Sequence, residues 1–315
     1  KILPAGYGNL EGIDPIAGVF AMKRCFLSLV LLIGLWFPPL FGAERVLVAT
    51  GTFGAVSSGH PLATNAALKI LERGGNAVDA ALAAAFVLGV VDPSNSGLGG
   101  DGHALIRTRL GRFEAWEAAS PKPGAPSEPA GVIGLPTELP LLLELHKRHG
   151  TKCLPELMAP AISHAEKGFL VSSYLEQVIM KKIASLKDRA ALAIFAPTGR
   201  PVRAGEMLRQ PALGATLKGI AQDRGVSFLS GDLARQLAAD LTGRGAGYDL
   251  NDLLAFKPRS LPPVSLEMGR WRLIGVPPPS SSVVAMALVE YLVKHAFYPE
   301  TFEGMNLFLH ANVRT

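Results

Sequence analysis

Gly97-Leu98-Gly99-Gly100-Asp101-Gly102 fits the G-x-G-x-x-G spacing with which a glycine turn brings backbone amides close to a pyrophosphate. That chemistry needs a strand before the turn and a helix after it, because the helix N-terminus holds the phosphates. Here a helical pattern precedes and a strand pattern, His103-Ala104-Leu105-Ile106-Arg107-Thr108, follows, so the glycines read as a turn and not as a nucleotide site. His146 and His149 stand three apart, a spacing that puts both on one helix face where they could hold a metal. No H-E-x-x-H and no partner carboxylate cluster completes a ligand set; two solvent-facing histidines are the simpler reading, and neither metal nor other cofactor is expected. There is no G-x-S-x-G elbow, and the serines give no Ser/His/Asp order. Cys153 lacks a C-x-x-C partner and reads as a structural thiol. Val276-Pro277-Pro278-Pro279-Ser280-Ser281 is a strand exit stiffened by prolines, with Ser280 placed to cap a helix.

The elements that must position these residues are marked by helix stops and caps. Pro61 opens a helix to Arg73 that Gly74-Gly75 end, and a second runs from Asn76 to Val91, its alanines allowing close approach to a neighbour. The strand at His103 turns at Leu110-Gly111 and returns as Arg112-Phe113-Glu114-Ala115-Trp116-Glu117, a hairpin. Pro121, Pro123, Pro126 and Pro129 then force an extended connector. Helices are expected over 138–149, 155–167, 212–224 and 231–242, each closed by glycine, and Asp249 with Asp252 resembles a capping box. A strand over 271–276 and a helix from Ser280 to His295 follow, while 46–50 and 55–58 are short β-type runs. No repeat or low-complexity linker divides the chain, which predicts one mixed α/β domain over 44–315.

Composition narrows the class. The 315 residues are 49% hydrophobic and only 18% charged, below the roughly 25% of soluble domains, so an alanine- and glycine-rich interior is expected. The net charge of +5 is scattered, with no like-charge run of five, which reads as a solvated surface rather than a nucleic-acid footprint. Met22-Lys23-Arg24 precede an apolar run over 26–37 that breaks at Pro38-Pro39 and ends near Gly42-Ala43. This is the layout of a secretory signal, so 22–43 is read as a signal, 1–21 as a segment upstream of the start at Met22, and the product as exported, periplasmic or extracellular. Phe41 is not the small residue a signal peptidase prefers three positions before the cut, and an uncleaved membrane anchor is the alternative. Cys25 falls in the signal, which leaves Cys153 without an intramolecular disulfide partner.

Five stretches in order complete the pattern: Gly74-Gly75-Asn76-Ala77-Val78-Asp79-Ala80-Ala81, the turn with Gly99 and Gly100 before His103, Gly134-Leu135-Pro136, Asp252-Leu253, and the junction Pro278-Pro279-Ser280-Ser281. In that order they resemble the large subunit of the γ-glutamyltranspeptidases, N-terminal-nucleophile hydrolases. The resemblance implies part of an αββα sandwich. It also implies a precursor that cuts itself before a threonine, which becomes nucleophile and, through its own amine, base. Such a threonine attacks γ-glutamyl amides such as glutathione and passes the acyl group to water or an amine. By the resemblance it belongs to a small subunit beyond these residues, so no catalytic residue is placed within this sequence and the chain alone is expected to be inactive. A truncated gene, an incomplete frame or a separately encoded partner would each fit, and a stop inside the apolar pattern near Thr315 favours truncation.

One departure concerns substrate. The family carries an Arg-Glu pair before an Ala-Pro at the end of the hairpin, the arginine gripping the substrate α-carboxylate as a charge-assisted fork. Here the segment is Ala115-Trp116-Glu117-Ala118-Ala119-Ser120-Pro121, which puts Trp116 or Glu117 at that position and makes both the substrate-pocket candidates. Neither supplies a cation. Poor handling of γ-glutamyl donors is therefore expected, with an acylase of other amides, or a non-catalytic remnant on the same scaffold, as alternatives.

Overall fold

The computed structural model describes residues 51–52, 54–123, 133–269 and 271–294. Its contacts divide the chain into 1–52 and 53–315, and the account below concerns the second unit. The expected signal over 22–43, the segment 1–21, the β run over 46–50, most of the proline connector and the closing residues lie outside the described residues.

In chain order the elements are α1 (Pro61–Glu72), α2 (Ala77–Val91), β1 (Gly102–Arg107), β2 (Phe113–Ala118), α3 (Glu138–His149), α4 (Leu154–Lys167), β3 (Phe169–Leu170), α5 (Ser173–Lys182) and α6 (Arg189–Phe195). There follow β4 (Met207–Leu208), α7 (Pro211–Asp223), α8 (Val226–Leu229), α9 (Asp232–Gly243), α10 (Leu250–Ala255), β5 (Arg259–Leu261), β6 (Val264–Met268), β7 (Trp271–Gly275) and α11 (Ser282–Lys294).

The helical layer starts with a proline in the first turn of α1, where the missing N–H costs nothing, and His60 Nδ1 accepts the Leu62 amide at 3.2 Å. α2 opens on a full capping box: Asn76 Oδ1 accepts the amides of Val78 and Asp79, and the Asp79 carboxylate accepts the Asn76 amide. Ala63, Ala66 and Ala67 of α1 and Ala80, Ala83 and Ala84 of α2 are buried, so the small side chains let the two helices close on each other. α4 and α7 complete this core with Leu157, Met158, Leu217 and Ile220, all fully enclosed.

The principal sheet is antiparallel in the order β1-β2-β5. Alternation along β2 sends Trp116 and Ala118 to one face, where they pack on Leu141 and Leu145 of α3. That contact joins sheet to helical layer. A second hairpin, β6 with β7, carries α11, and Gly275 permits their approach: a Cβ there would stand 2.6 Å from Ser282 Cβ and 2.8 Å from Met286 Cε. The class is mixed α/β, as expected, with helices over an antiparallel sheet. Besides the short β3–β4 pair inside a stretch read as helical, two features depart from the sequence reading. Residues 55–58 form no strand, and Val56 packs on the helical core; β5 and β6, which flank Pro262-Pro263, were not anticipated. Among the described residues no helix is long and apolar enough to cross a membrane.

Candidate functional site

The hairpin exit is fixed by the 135–137 segment and by Tyr248. Thr137 Oγ1 donates to the Ala118 carbonyl, the Leu135 amide donates to Ser120 Oγ at 2.6 Å, and the Tyr248 hydroxyl, 3.2 Å from Ser120 Oγ, donates to the Pro121 carbonyl. A Cβ on Gly134 would come within 3.2 Å of Ser120 Oγ, which gives Gly134-Leu135-Pro136 its role: it presses against the end of β2 and holds Ser120 in place.

Glu117, one residue earlier, lies on the face of β2 opposite Trp116 and is only 5% exposed. Arg259 of β5 is its direct cross-strand partner and donates Nη2–H to Glu117 Oε2 at 2.5 Å, while the rest of the arginine side chain remains 66% exposed. These residues line a cleft of about 580 Å³ together with Ser120, Asp252, Lys257 and Pro279. Two of the five sequence motifs, Asp252-Leu253 and the proline junction, thus meet the hairpin exit there. Asp252 is committed to its helix, accepting the Asp249 amide at 2.8 Å as half of the capping box of α10. In the junction Ser280 Oγ accepts the Ser282 amide at 3.2 Å and lies 2.9 Å from Ser282 Oγ, while the Ser281 carbonyl receives the Ala285 amide in the first turn of α11.

Trp116 does not reach the cleft. It is 2% exposed under α3, with the Arg148 guanidinium 4.7 Å from its ring centre and its Nε1–H unpartnered. The glycine turn is also a positioning device. Gly97 donates its amide to Glu138 Oε2 at 3.0 Å, and the Gly100 carbonyl accepts the amides of Thr137 and Glu138, so the turn docks on the N-terminus of α3. A Cβ on Gly100 would stand 3.2 Å from the Gly97 carbonyl, while Gly99 faces open space. Burial pushes the Glu138 carboxyl up to about 7; the Gly97 amide opposes this and the charge of Asp101 adds to it. His146 and His149 part company, the first on the Lys152 carbonyl at 2.8 Å and the second on Glu114 at 3.0 Å.

The hydroxyl of the cleft, Ser120, is engaged by a backbone amide and a tyrosine, and among the described residues no histidine lines the walls to serve as its base. The cations of the cleft, Arg259 and Lys257, escaped the sequence reading because they are distant in sequence from the hairpin.

The gamma-glutamyltranspeptidase family model matches residues 63–313. The chain is 33% identical over 252 residues to the capsule biosynthesis protein CapD proenzyme of Bacillus anthracis, covering 79% of this chain and 46% of that protein. It is 34% identical over 263 residues to the acylase ACY 1 proenzyme of Pseudomonas sp. (strain V22), covering 76% and 47%. The crystal structure of Helicobacter pylori gamma-glutamyltranspeptidase superimposes with a TM-score of 0.76 at 25% identity, over 84% of this chain and 82% of that one. The chain spans about half the length of the curated relatives it matches.

Proposed function

Since this chain belongs to the γ-glutamyltranspeptidase family, we propose that it supplies the acyl-donor cleft of an amide transferase or hydrolase. The donors are γ-glutamyl amides such as glutathione, and the threonine nucleophile comes from a small subunit of the same precursor. The observation that carries this reading is the cleft in which the hairpin exit and Pro279 meet beside Arg259. Sequence alone left the hairpin without a cation. Arg259 offers one from the neighbouring strand, and Glu117 orients it: a guanidinium has five N–H donors, and one bond to Glu117 leaves others for a substrate carboxylate.

A second reading has its own support. Glu117 already offsets part of the Arg259 charge, which favours amides without an α-carboxylate, in keeping with an acylase among the relatives. Kinetics on the full-length, processed protein separates the two. A kcat/KM for glutathione well above that for amides lacking the α-carboxylate supports the first reading, and the reverse order supports the second. An intact downstream locus with a stop codon and no threonine cleavage site would instead support a non-catalytic scaffold. Export belongs to the same proposal, with residues 22–43 removed; mass spectrometry of the exported protein finding Met22 intact would favour a membrane-anchored form.

A further inference from the structure

Glu138 is the first residue of α3, yet it is only 9% exposed. A cavity of about 10 Å³ beside it is walled by Phe86 and Val90 of α2, Leu142 of α3 and Leu213 and Leu217 of α7, and Glu138 is the one polar side chain among the described residues that line it. That volume is at the lower limit of what one water needs, and a water would find too few polar partners there. Among the described residues the carboxyl is bonded by the Gly97 amide alone, at 3.0 Å on Oε2. The charged group that faces it is Asp101, from the glycine turn itself, while α2 and α7 present apolar side chains to the cavity. A neutral acid accepts the Gly97 amide and buries no charge. A carboxylate would lie near a second negative charge with one amide to solvate it, which is why burial raises the carboxyl to about 7.

The turn that this carboxyl holds also supports the hairpin exit. The Gly100 carbonyl accepts the Thr137 amide at 2.8 Å and the Glu138 amide at 3.0 Å, Thr137 Oγ1 donates to the Ala118 carbonyl, and the Ser120 amide reaches Asp101 Oδ2 at 3.4 Å. Gly89 lets the turn lie against α2, since a Cβ there would stand 3.1 Å from Gly97 Cα, while Gly99 faces open space. Outward movement of the turn is thus the unobstructed way for water to reach Glu138. It would also withdraw Asp101 from Ser120, which lines the cleft. We propose that Glu138 is a positioning residue for the cleft: uncharged, it keeps the glycine turn and the hairpin exit in the arrangement that shapes the cleft, and its ionisation releases both, so that the cleft loses its shape as pH rises. The proposal rests on the cleft being the acyl site. Glu138 itself does not line that cleft and acts through Gly97 and Thr137.

Hydrogen exchange of the full-length, processed protein, followed by mass spectrometry from pH 5 to 8.5 and corrected for the intrinsic pH dependence, reads the turn without any substrate. Peptides covering 97–102 and 118–121 should lose protection on the order of tenfold over that range, because Glu138 ionises near 4.5 when the turn is open and near 7 when it is closed. Protection of 232–243, in α9, should not change. Glu138→Gln keeps an oxygen for the Gly97 amide and cannot ionise, so its protection should stay constant with pH. Asp101→Asn should move the midpoint to lower pH, since the charge it removes opposes ionisation of Glu138, and this exposed position keeps the test open if the glutamine variant fails to fold. In turnover, KM for glutathione should rise with pH about tenfold more in the parent than in Glu138→Gln, with kcat following one profile in both. Exchange in the parent that ignores pH, an equal loss of protection in Glu138→Gln, an unmoved midpoint in Asp101→Asn, or coincident KM profiles would each overturn the proposal. The expected exchange pattern in a protein that turns over no γ-glutamyl amide would remove the acyl-donor reading and support the hold of Glu138 on the turn and hairpin exit, so the two fail separately.

Discussion

Glu117 and Arg259 face each other directly across β2 and β5, joined at 2.5 Å, yet one is almost wholly buried and the other mostly in solvent. Their contributions to stability are therefore unequal. Removing the guanidinium leaves a nearly buried carboxylate without its partner, whereas removing the carboxylate's charge leaves an arginine free to turn outward. Arg259→Ala is expected to destabilise by about 1–3 kcal/mol, and Glu117→Gln by clearly less. Urea unfolding of the two variants checks this; equal losses would refute the asymmetry, and losses below about 1 kcal/mol in both would mean that the pair is as weak as an ordinary surface bridge.

Asp79 is the polar anchor of the helical layer. Fully buried, it accepts the Asn76 amide, the Thr151 amide and hydroxyl, and the Lys152 amide, tying the start of α2 to the loop after α3. Burial pushes its carboxyl up, but the Thr151 hydroxyl and the three amides together outweigh burial and hold it below its ordinary value of 3.8. A depressed acid stabilises the fold above its unfolded value and loses that contribution as pH falls through the folded one. Asp79→Asn turns an NH₂ toward donors and should cost about 2–3 kcal/mol. It should also remove part of the acid sensitivity below pH 4, which equilibrium unfolding across pH 2–6 would measure.

Glu138 has the opposite sign. Its carboxyl is raised from 4.5 to about 7, chiefly by burial, so the folded state prefers the protonated form. The resulting stability is complete below the unfolded value near 4.5 and is lost as pH rises through about 7, a change on the order of 3 kcal/mol. Glu138→Gln keeps an oxygen for the Gly97 amide and cannot ionise, so its stability should stay flat from pH 5 to 9 while the parent falls. Parallel curves for the two proteins would refute the assignment.

How much of this was legible depends on whether the deciding information was local. Pro61, Asn76 with Asp79, Gly150, Gly168 and Asp249 with Asp252 announced helix ends within a residue or two, because caps and stops act on their own backbone. β5 is three residues long between Pro258 and Pro262 and exists only by pairing with β2, so nothing local marked it, and Arg259 stayed hidden with it. Alternation required Trp116 and Glu117 to face opposite ways. Which of them would meet the cleft was decided by α3 packing on the tryptophan side, a tertiary choice outside the reach of sequence spacing.

That choice changes what a rescue of γ-glutamyl specificity should look like. If the cation had to come from the hairpin itself, Trp116→Arg would supply it. In the folded chain position 116 is 2% exposed, sandwiched between α3 and the sheet, so an arginine there would bury a charge and empty a large apolar volume. Phe or Trp truncations of this kind cost ~3–5 kcal/mol, and Trp116→Arg is expected to destabilise by at least as much with no gain for glutathione. Glu117→Arg would place two cations side by side in the cleft and lose the pair that orients Arg259. Arg259 itself should govern donor choice: Arg259→Gln in the full-length enzyme should raise KM for glutathione about tenfold or more, as loss of one partner of a charged hydrogen bond does, while amides without an α-carboxylate are affected far less. Lysine at that position should restore only part of the difference, since a point charge cannot hold Glu117 and a substrate carboxylate with one planar fork. A donor panel on the parent, Arg259→Gln, Arg259→Lys and Trp116→Arg decides the matter. Equal losses for all donors would assign Arg259 to the fold alone, and improved glutathione use by Trp116→Arg would return the cation to the hairpin.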